Sequence, residues 1–187
     1  MSATTEILLI TGPAGVGKST LCWEISRQLA EQNLAHAVIE SDEIDRLYPK
    51  PGADELSKIM PGAKDVSAAT LQALWSVYRR LGHHRLLMTG VMMHLGFDRR
   101  WIEQAIPDAT LSVVRLSSGE QTLRERLARR ESAASLESQI TRSLRQASFM
   151  AENRVEALYL STDGQTPAQL AREVLRQSGW EPVSTEY

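Results

Sequence analysis

The sequence predicts an α/β protein in which helices cover both faces of a parallel β-sheet. Short apolar runs that are typical of buried strands alternate with stretches of helical periodicity along the 187 residues, and a glycine-rich turn separates the first strand from the first helix. This alternation makes consecutive strands parallel, because a helical crossover returns the chain to the same end of the sheet. The length suits one compact unit, so we expect a single domain that spans residues 1–187.

Five apolar runs are predicted to form the sheet. The first, EILLIT, ends at a Gly-Pro pair, which stops a strand and begins a turn. The second (AHAVIE), third (RLLMTGV) and fourth (TLSVVRL) have the length and the aliphatic character of buried strands, and a weaker fifth run follows. We place the strands at residues 6–11, 35–40, 85–91, 110–116 and 157–160.

Apolar residues recur at helical spacing between these runs. Ser118 and Thr166, each with a glutamine three residues later, match the capping box that opens a helix, and Asp98 is expected to cap another. Residues 48–62 are instead rich in Pro and Gly and are predicted to form an irregular connection, because proline interrupts helices. We place the helices at residues 18–31, 65–81, 98–106, 118–131, 136–157 and 166–177.

The composition excludes several functional classes. With 21 Lys and Arg against 23 Asp and Glu, the formal net charge is −2, which gives no general electrostatic reason to bind nucleic acid or an anionic membrane. The single cysteine, Cys22, excludes an intramolecular disulfide and fits a reducing compartment. No stretch matches a signal peptide, and no apolar run approaches the roughly 20 residues of a membrane-spanning helix. We therefore expect a cytoplasmic protein without nucleic-acid or membrane partners.

Residues 12–19, GPAGVGKS, match the phosphate-binding pattern G-x-x-x-x-G-K-[ST] completely. The glycines allow successive backbone N–H groups to surround phosphate oxygens, and the following helix adds its positive end. Lys18 is expected to reach the β- and γ-phosphates, the Ser19 hydroxyl to coordinate Mg²⁺, and Thr20 to contact the α-phosphate. We therefore predict that ATP and Mg²⁺ bind at Gly12, Pro13, Ala14, Gly15, Val16, Gly17, Lys18, Ser19 and Thr20.

Acidic residues are concentrated in residues 40–45, ESDEID, where the second strand ends. In an open α/β sheet, ligands bind beyond the carboxyl ends of the strands. A carboxylate there can orient an acceptor hydroxyl and take its proton, and Asp42 is the candidate for that role. Glu40, two residues earlier on the same strand face, is a candidate to hold a magnesium-bound water. The alternative is a solvated acidic turn that caps the following helix.

Four arginines occur within residues 124–130, after the fourth strand. Arg126 and Arg130 are four residues apart and therefore share one face of the predicted helix. Guanidinium groups suit the negative charge that spreads over a phosphoryl group in transfer, and a mobile segment can bring them in once substrate is bound. The alternative is a solvated helix face with ion pairs to Glu125 and Glu131.

These motifs together resemble those of the small P-loop kinases, which include shikimate kinase, gluconate kinase, chloramphenicol phosphotransferase and the nucleoside monophosphate kinases. The loop GPAGVGKST, the pair Glu40-x-Asp42 and the run LRERLARRE support the resemblance. The chain is also similar to the tunicamycin-resistance type of P-loop protein. The resemblance implies a three-layer fold with a five-stranded parallel sheet of order 2-3-1-4-5, a substrate-binding helical segment at about 45–82 and an arginine-bearing lid at about 118–145.

The resemblance also implies roles for individual residues. Asp42 corresponds to the acid that meets the substrate hydroxyl in shikimate kinases. Arg126 and Arg130 look like the lid arginines of adenylate kinases, of which one lies against adenine and one on phosphate. Asp163, in the sequence Thr-Asp-Gly before the last helix, is similar to the adenine-side loop of this group and is therefore a candidate nucleotide contact.

The segment after the third strand is a candidate substrate wall. Met92 or Met93 could provide an apolar surface for an acceptor, although core packing is the more common role of methionine. His94 lies at the mouth of the same strand and is a candidate substrate contact. The strand has no terminal acid, so a protein carboxylate for the metal is less clearly indicated there.

The function expected from the sequence is ATP-dependent transfer of the γ-phosphoryl group to a hydroxyl of a small molecule, by a monomer or homodimer. A nucleoside monophosphate kinase is an alternative. Such an enzyme needs an arginine-lined acceptor site, whereas the only basic residues in the segment 54–65 are lysines. A second alternative is a resistance or sensor protein that binds nucleotide with little turnover.

Overall fold

Five strands and eight helices alternate in the part of the chain that the computed structural model describes, residues 4–63 and 66–180. The strands are β1 (Thr5–Thr11), β2 (Ala37–Glu40), β3 (Arg85–Gly90), β4 (Ala109–Ser117) and β5 (Leu158–Ser161). The helices are α1 (Lys18–Glu31), α2 (Ser41–Ile44), α3 (Ala53–Ile59), α4 (Val66–Arg80), α5 (Leu95–Ala105), α6 (Glu120–Arg130), α7 (Ala133–Glu152) and α8 (Pro167–Ser178).

The five strands form one parallel sheet in the order β2-β3-β1-β4-β5. The expected fold class and strand order are therefore confirmed. In the register of the sheet, Thr11 at the end of β1 lies opposite Gly90 of β3 and Arg115 of β4, and Glu40 of β2 lies opposite Thr89. The carboxyl ends of four strands thus meet at the edge from which the glycine-rich loop emerges.

Both faces of the sheet are buried, which explains why β1 is continuously apolar. Ile7 and Leu9 pack into a core with residues of α4 and α5 on one face, including Trp75 and Ile102. Leu8 and Ile10 pack into a second core with residues of α1 and α8 on the other face. Cys22 belongs to this second core, and burial raises the pKa of its thiol to about 12, as expected for a structural cysteine.

Local sequence signals set both ends of the last helix, α8. Thr166 Oγ1 accepts a hydrogen bond from the N–H of Gln169 (3.2 Å), and the Gln169 side chain accepts one from the N–H of Thr166 (2.8 Å). Pro167 occupies the first turn of α8, and Gly179 ends the helix with a left-handed φ of 70°. The capping-box prediction for this helix is confirmed.

Three local predictions were wrong. Residues 48–62 contain the helix α3, which forms between Pro51 and Pro61 and receives a cap from Glu55 through the N–H of Gly52 (2.8 Å). Asp98 does not cap α5, because that helix begins at Leu95 with His94 as its N-cap residue. The proline-free segment between Pro51 and Pro61 is long enough for the two turns of α3.

Ser118 also does not cap the helix it precedes. The N-cap residue of α6 is Gly119, and no side chain caps it by the standard pattern. The hydroxyl of Ser118 instead donates to Asp163, on the loop after β5. A partner 45 residues away has therefore replaced the local glutamine.

The limits of several other elements differ slightly from the predictions, and β2, for example, begins at Ala37 rather than at residue 35. The helix α7 covers residues 133–152 rather than 136–157, and α4 begins at Val66 in the described residues, with the predicted start at Asp65 lying outside them. Among the described residues, no helix combines the length and the apolar character that crossing a bilayer requires.

Candidate active site

The glycine-rich loop joins β1 to α1 in the conformation that its glycines allow. Gly15 and Gly17 have left-handed φ values of 78° and 106°. A Cβ atom on Gly15 would lie 3.0 Å from Cγ of Leu127, so α6 packs closely over the loop. Gly17 is the N-cap residue of α1 and offers no side-chain cap. The first N–H groups of α1 are thus directed to a ligand site rather than to a protein cap.

Lys18 lies half-buried under this loop. Its Nζ donates to the carbonyl oxygens of Gly12 (3.1 Å) and Pro13 (3.0 Å). Burial lowers the pKa of Lys18 to about 8. Asp42 and Glu40 oppose that shift through their negative charges, and Arg130 adds to it. The tertiary structure therefore brings together, around one ammonium group, side chains that come from three separate segments of the chain.

Asp42 reaches this position from an element that the sequence did not indicate. The strand β2 ends at Glu40, and Asp42 lies in the short helix α2. The expectation that the two acids share a strand face is therefore wrong, although both act electrostatically on Lys18. The close approach of α2 to β3 depends on Gly90, because a Cβ atom there would overlap Oγ of Ser41.

The acids of residues 40–45 differ in their partners. Glu43 pairs with Arg46 (3.2 Å) and Asp45 pairs with Lys50 (3.1 Å), as the alternative of a surface turn predicts. Asp42 is exposed and has no hydrogen bond or ion pair to any residue that the structure describes. Among these acids, Asp42 is thus left available to a ligand beside Lys18.

A cavity of about 430 Å³, the phosphate-loop cavity, lies above the loop. It is lined by residues 15–21, by Arg126 and Arg130 of α6, and by the start of the segment after β5. Arg126 donates to the carbonyl of Val16 (2.9 Å) and to the hydroxyl of Thr162 (2.8 Å), so it joins α6 to the loop. Arg130 pairs with Glu131 (2.9 Å) and is 59% exposed. Both arginines therefore face the same cavity, one fixed and one free to move.

Asp163 has protein partners of its own. Its carboxylate accepts from the Ser118 hydroxyl (2.6 Å) and from the N–H of Gly119 (2.7 Å), and these hydrogen bonds hold its pKa below the usual range. It therefore anchors the N-terminus of α6. The neighbours Thr162 and Gln165 line the phosphate-loop cavity, and the sequence offered only the proximity of the Thr-Asp-Gly turn as a signal for them.

Two residues of α7 hold the tip of the loop. The Ser143 hydroxyl donates to the carbonyl of Ala14 (2.7 Å), and the N–H of Ala14 donates to Oε1 of Gln146 (2.9 Å). Ser143 is fully buried and Gln146 is 5% exposed. The available sequence signal was two polar residues on the buried face of α7, between Ile140 and Met150. Neither residue was predicted from the sequence to belong to the site.

The candidate substrate wall is divided between two roles. Met92 is buried in the core, and its N–H donates to the Thr11 hydroxyl (2.9 Å). Met93 is only half-buried and lines two open cavities. His94 stacks edge-on against Phe149 of α7, with ring centroids 4.8 Å apart. Met93 thus remains available to a ligand, whereas Met92 is part of the core.

The donor set fits a metal ion that arrives with a nucleotide. Within the described residues, no group of three or more His, Cys, Asp or Glu side chains is arranged to hold an ion. Mg²⁺ commonly keeps several waters and binds phosphate oxygens with one or two protein ligands. The Ser19 hydroxyl lies at the exposed start of α1, and Glu40 is close enough to Lys18 to act on it electrostatically.

The fold and the loop define the class of protein: an α/β protein of the P-loop fold, with the loop between β1 and α1. A family model described as an AAA domain matches residues 8–146, and the chain belongs to that family. No protein among the curated sequences matches it significantly.

Several solved structures share the fold over nearly the whole chain. A tunicamycin resistance protein from Deinococcus radiodurans is 20% identical with a TM-score of 0.54, covering 94% of this chain and 96% of that one. A gluconokinase from Sinorhizobium meliloti 1021 is 19% identical with a TM-score of 0.57, covering 95% and 93%. A shikimate kinase from Acinetobacter baumannii is 18% identical with a TM-score of 0.53, covering 94% and 93%. These similarities confirm the resemblance at the level of the fold.

Proposed function

We propose that the protein is an ATP-dependent phosphotransferase that moves the γ-phosphoryl group to a hydroxyl of a small molecule. The observation that carries the proposal is the carboxylate of Asp42, which is unpaired among the described residues, beside the half-buried Lys18. A loop that only bound nucleotide would need the lysine but would have no use for an available base next to it. The gluconokinase and the shikimate kinase among the structural neighbours are consistent with this reaction class.

The proposed mechanism assigns a task to each group. The N–H groups at the start of α1 and the Lys18 ammonium bind the phosphates, and the Ser19 hydroxyl binds the Mg²⁺ that accompanies ATP. Asp42 orients the acceptor hydroxyl and takes its proton. A bond forms between the acceptor oxygen and the γ-phosphorus, and the bond to the bridging oxygen breaks, so its electron pair leaves with ADP.

The arginines of α6 complete the proposed site. Arg126 holds α6 against the loop, through the carbonyl of Val16. Arg130 is exposed, and among the described residues its one ion-pair partner is its neighbour Glu131, so it can turn toward the transferring group at small cost. Guanidinium donors placed at the developing charge stabilise the transition state more than the bound substrate.

Asp42→Asn tests the proposal. The side chain keeps its size but cannot take a proton, so we expect phosphoryl transfer to fall by about a hundredfold or more while ATP affinity stays close to the wild-type value. Glu43→Gln, which removes only an exposed ion pair, is the matched control. Transfer is measured with ATP labelled in the γ-phosphoryl group and a metabolite extract, with labelled products identified by mass spectrometry.

The outcomes separate the alternatives. Labelled product from the wild type and the control, with its loss in Asp42→Asn, supports a phosphotransferase. Tight ATP binding without any labelled product points instead to a nucleotide-binding protein with little turnover. Full transfer by Asp42→Asn shows that another group accepts the proton.

A further inference from the structure

A second cavity of about 520 Å³, the α7 cavity, lies between the segment after β3 and residues 137–146 of α7. Met93 forms its apolar wall, and α7 contributes a polar wall that includes Thr141, Arg142, Arg145 and Gln146. Apart from Gln146, which holds the tip of the phosphate loop, none of these residues belongs to the nucleotide site described above.

The α7 cavity is fixed to the phosphate loop on both sides. Gln146, which lines the cavity, accepts the hydrogen bond from the N–H of Ala14 in the loop (2.9 Å). On the other wall, Met93 follows Met92, whose N–H donates to Thr11 directly before the loop (2.9 Å). A molecule in the cavity would therefore lie next to the tip of the loop.

A buried arginine fastens the two walls to each other. Arg115 is 2% exposed and donates to the carbonyls of Met92 (3.2 Å) and Asn153 (3.0 Å). The second carbonyl lies at the C-terminal end of α7, where a positive charge is favourable. A residue of β4 thus ties the segment that carries Met93 to the C-terminal end of α7, the helix that forms the other wall.

The α7 cavity has a net positive lining whose two arginines form no ion pair with the described residues. Arg142 and Arg145 make no hydrogen bond or ion pair with any residue in the described part of the chain. The lining contains two arginines and one carboxylate, Glu137, so its formal charge is +1. Unpaired guanidinium groups in a cavity suit a carboxylate or phosphate oxyanion.

We propose that the α7 cavity binds the phosphoryl acceptor and that the acceptor carries an oxyanion, held by Arg142 and Arg145, with an apolar part against Met93. This inference rests on the proposed phosphotransferase function. Gln146 then connects the occupied cavity to the phosphate loop, because one side chain contacts both. The acceptor is accordingly a hydroxy acid or a phosphate monoester with a free hydroxyl, rather than a neutral alcohol.

The experiment divides a metabolite extract on an anion-exchange resin into a retained and an unretained fraction. Each fraction is incubated with the full-length protein and γ-labelled ATP, and labelled products are identified by mass spectrometry. We expect products from the retained fraction only. A dilution series of that fraction then gives the KM in extract equivalents and the limiting rate.

Three variants are compared in the dilution series. In Arg142→Ala/Arg145→Ala we expect the KM for the acceptor to rise by about tenfold or more, with the limiting rate and the KM for ATP nearly unchanged. Arg142→Lys/Arg145→Lys keeps the charge and should recover part of the affinity. Arg129→Ala is the matched control, because Arg129 is an exposed arginine of α6 that lines neither this cavity nor the phosphate-loop cavity.

Two results overturn the inference and leave the proposed function standing: products from the unretained fraction alone, or an unchanged acceptor KM in the double alanine variant. Absence of labelled product in both fractions, in protein that binds ATP, overturns the proposed function and with it the acceptor role of this cavity. An intact melting curve and normal ATP binding exclude misfolding of the variants.

Discussion

The hydrogen bond from the N–H of Ala14 to Gln146 allows the effect of a substitution on nucleotide binding to be predicted quantitatively. Gln146→Leu preserves the volume of the side chain but leaves the amide of Ala14, which is partly buried, without its acceptor. Loss of the acceptor for such a group costs about 1–2 kcal/mol. The loop also loses the restraint that keeps its tip in the binding conformation.

The cost is divided between stability and binding. If the unpaired amide destabilises the protein without nucleotide, the melting temperature falls by about 2–8 °C for a chain of this size. If the nucleotide-bound state bears the cost instead, the dissociation constant for a non-hydrolysable ATP analogue rises about 5- to 30-fold. Calorimetric titration measures the dissociation constant, and a thermal scan of the same sample measures the melting temperature. We expect at least one of the two to change by the amount given above.

Two companion variants show whether the hydrogen bond is responsible. Gln139→Leu makes the same substitution two turns earlier on α7, where the side chain has no hydrogen bond to any described residue, and should change neither quantity. Ser143→Ala removes the second bond to Ala14, at the carbonyl (2.7 Å), and should have a smaller effect because a carbonyl keeps a second lone pair for water. A Gln146→Leu protein with wild-type melting temperature and wild-type affinity would refute the reasoning.

Four further predictions follow from groups around the loop. Lys18→Ala should lower phosphoryl transfer by orders of magnitude without unfolding the protein, as checked by turnover and circular dichroism. In the protein without ligand the pKa of Lys18 is about 8, and bound phosphate favours its charged form, so binding of the ATP analogue should weaken above pH 8 and should take up a proton. Calorimetric titrations in buffers of different ionisation enthalpy measure this proton uptake, which Lys18→Ala should abolish. Arg130→Ala should lower kcat more than acceptor affinity, and equal kinetics of Arg130→Ala and the wild type would leave this arginine a solvated side chain. Cys22, with a thiol pKa of about 12, should react with iodoacetamide at pH 8 only after denaturation; rapid alkylation of the native protein would contradict its burial.

The strand order was implied by the resemblance to small P-loop kinases, but the parallel α/β class and the position of the loop were determined by the sequence itself. Both depend on patterns within a few residues: the alternation of apolar runs with helical periodicity, and the spacing of glycines before Lys18. The same is true of α8, where Thr166, Gln169 and Gly179 act through contacts at most a few residues apart. Signals of this range are readable because the groups that interact are close together in the chain.

Other local signals were overruled by partners elsewhere in the fold. Ser118 had a glutamine at the capping-box position, yet its hydroxyl donates to Asp163, because β4 and β5 pair side by side. In residues 48–62 the composition favoured an irregular chain, but the residues between the prolines form α3 and bury Leu56. Tertiary packing can supply more free energy than the local preference it opposes.

Only the tertiary structure decided which side chains surround the loop. The bonds from Ser143 and Gln146 to Ala14 span 129 and 132 residues, and no local pattern encodes contacts at that separation. The availability of Asp42 likewise depends on which of its neighbours found partners, and the α7 cavity depends on Arg115 joining two distant segments. The sequence specifies the chemistry of each group, whereas the packing of helices on a sheet determines which groups meet, because that packing follows from the fit of all the buried surfaces at once.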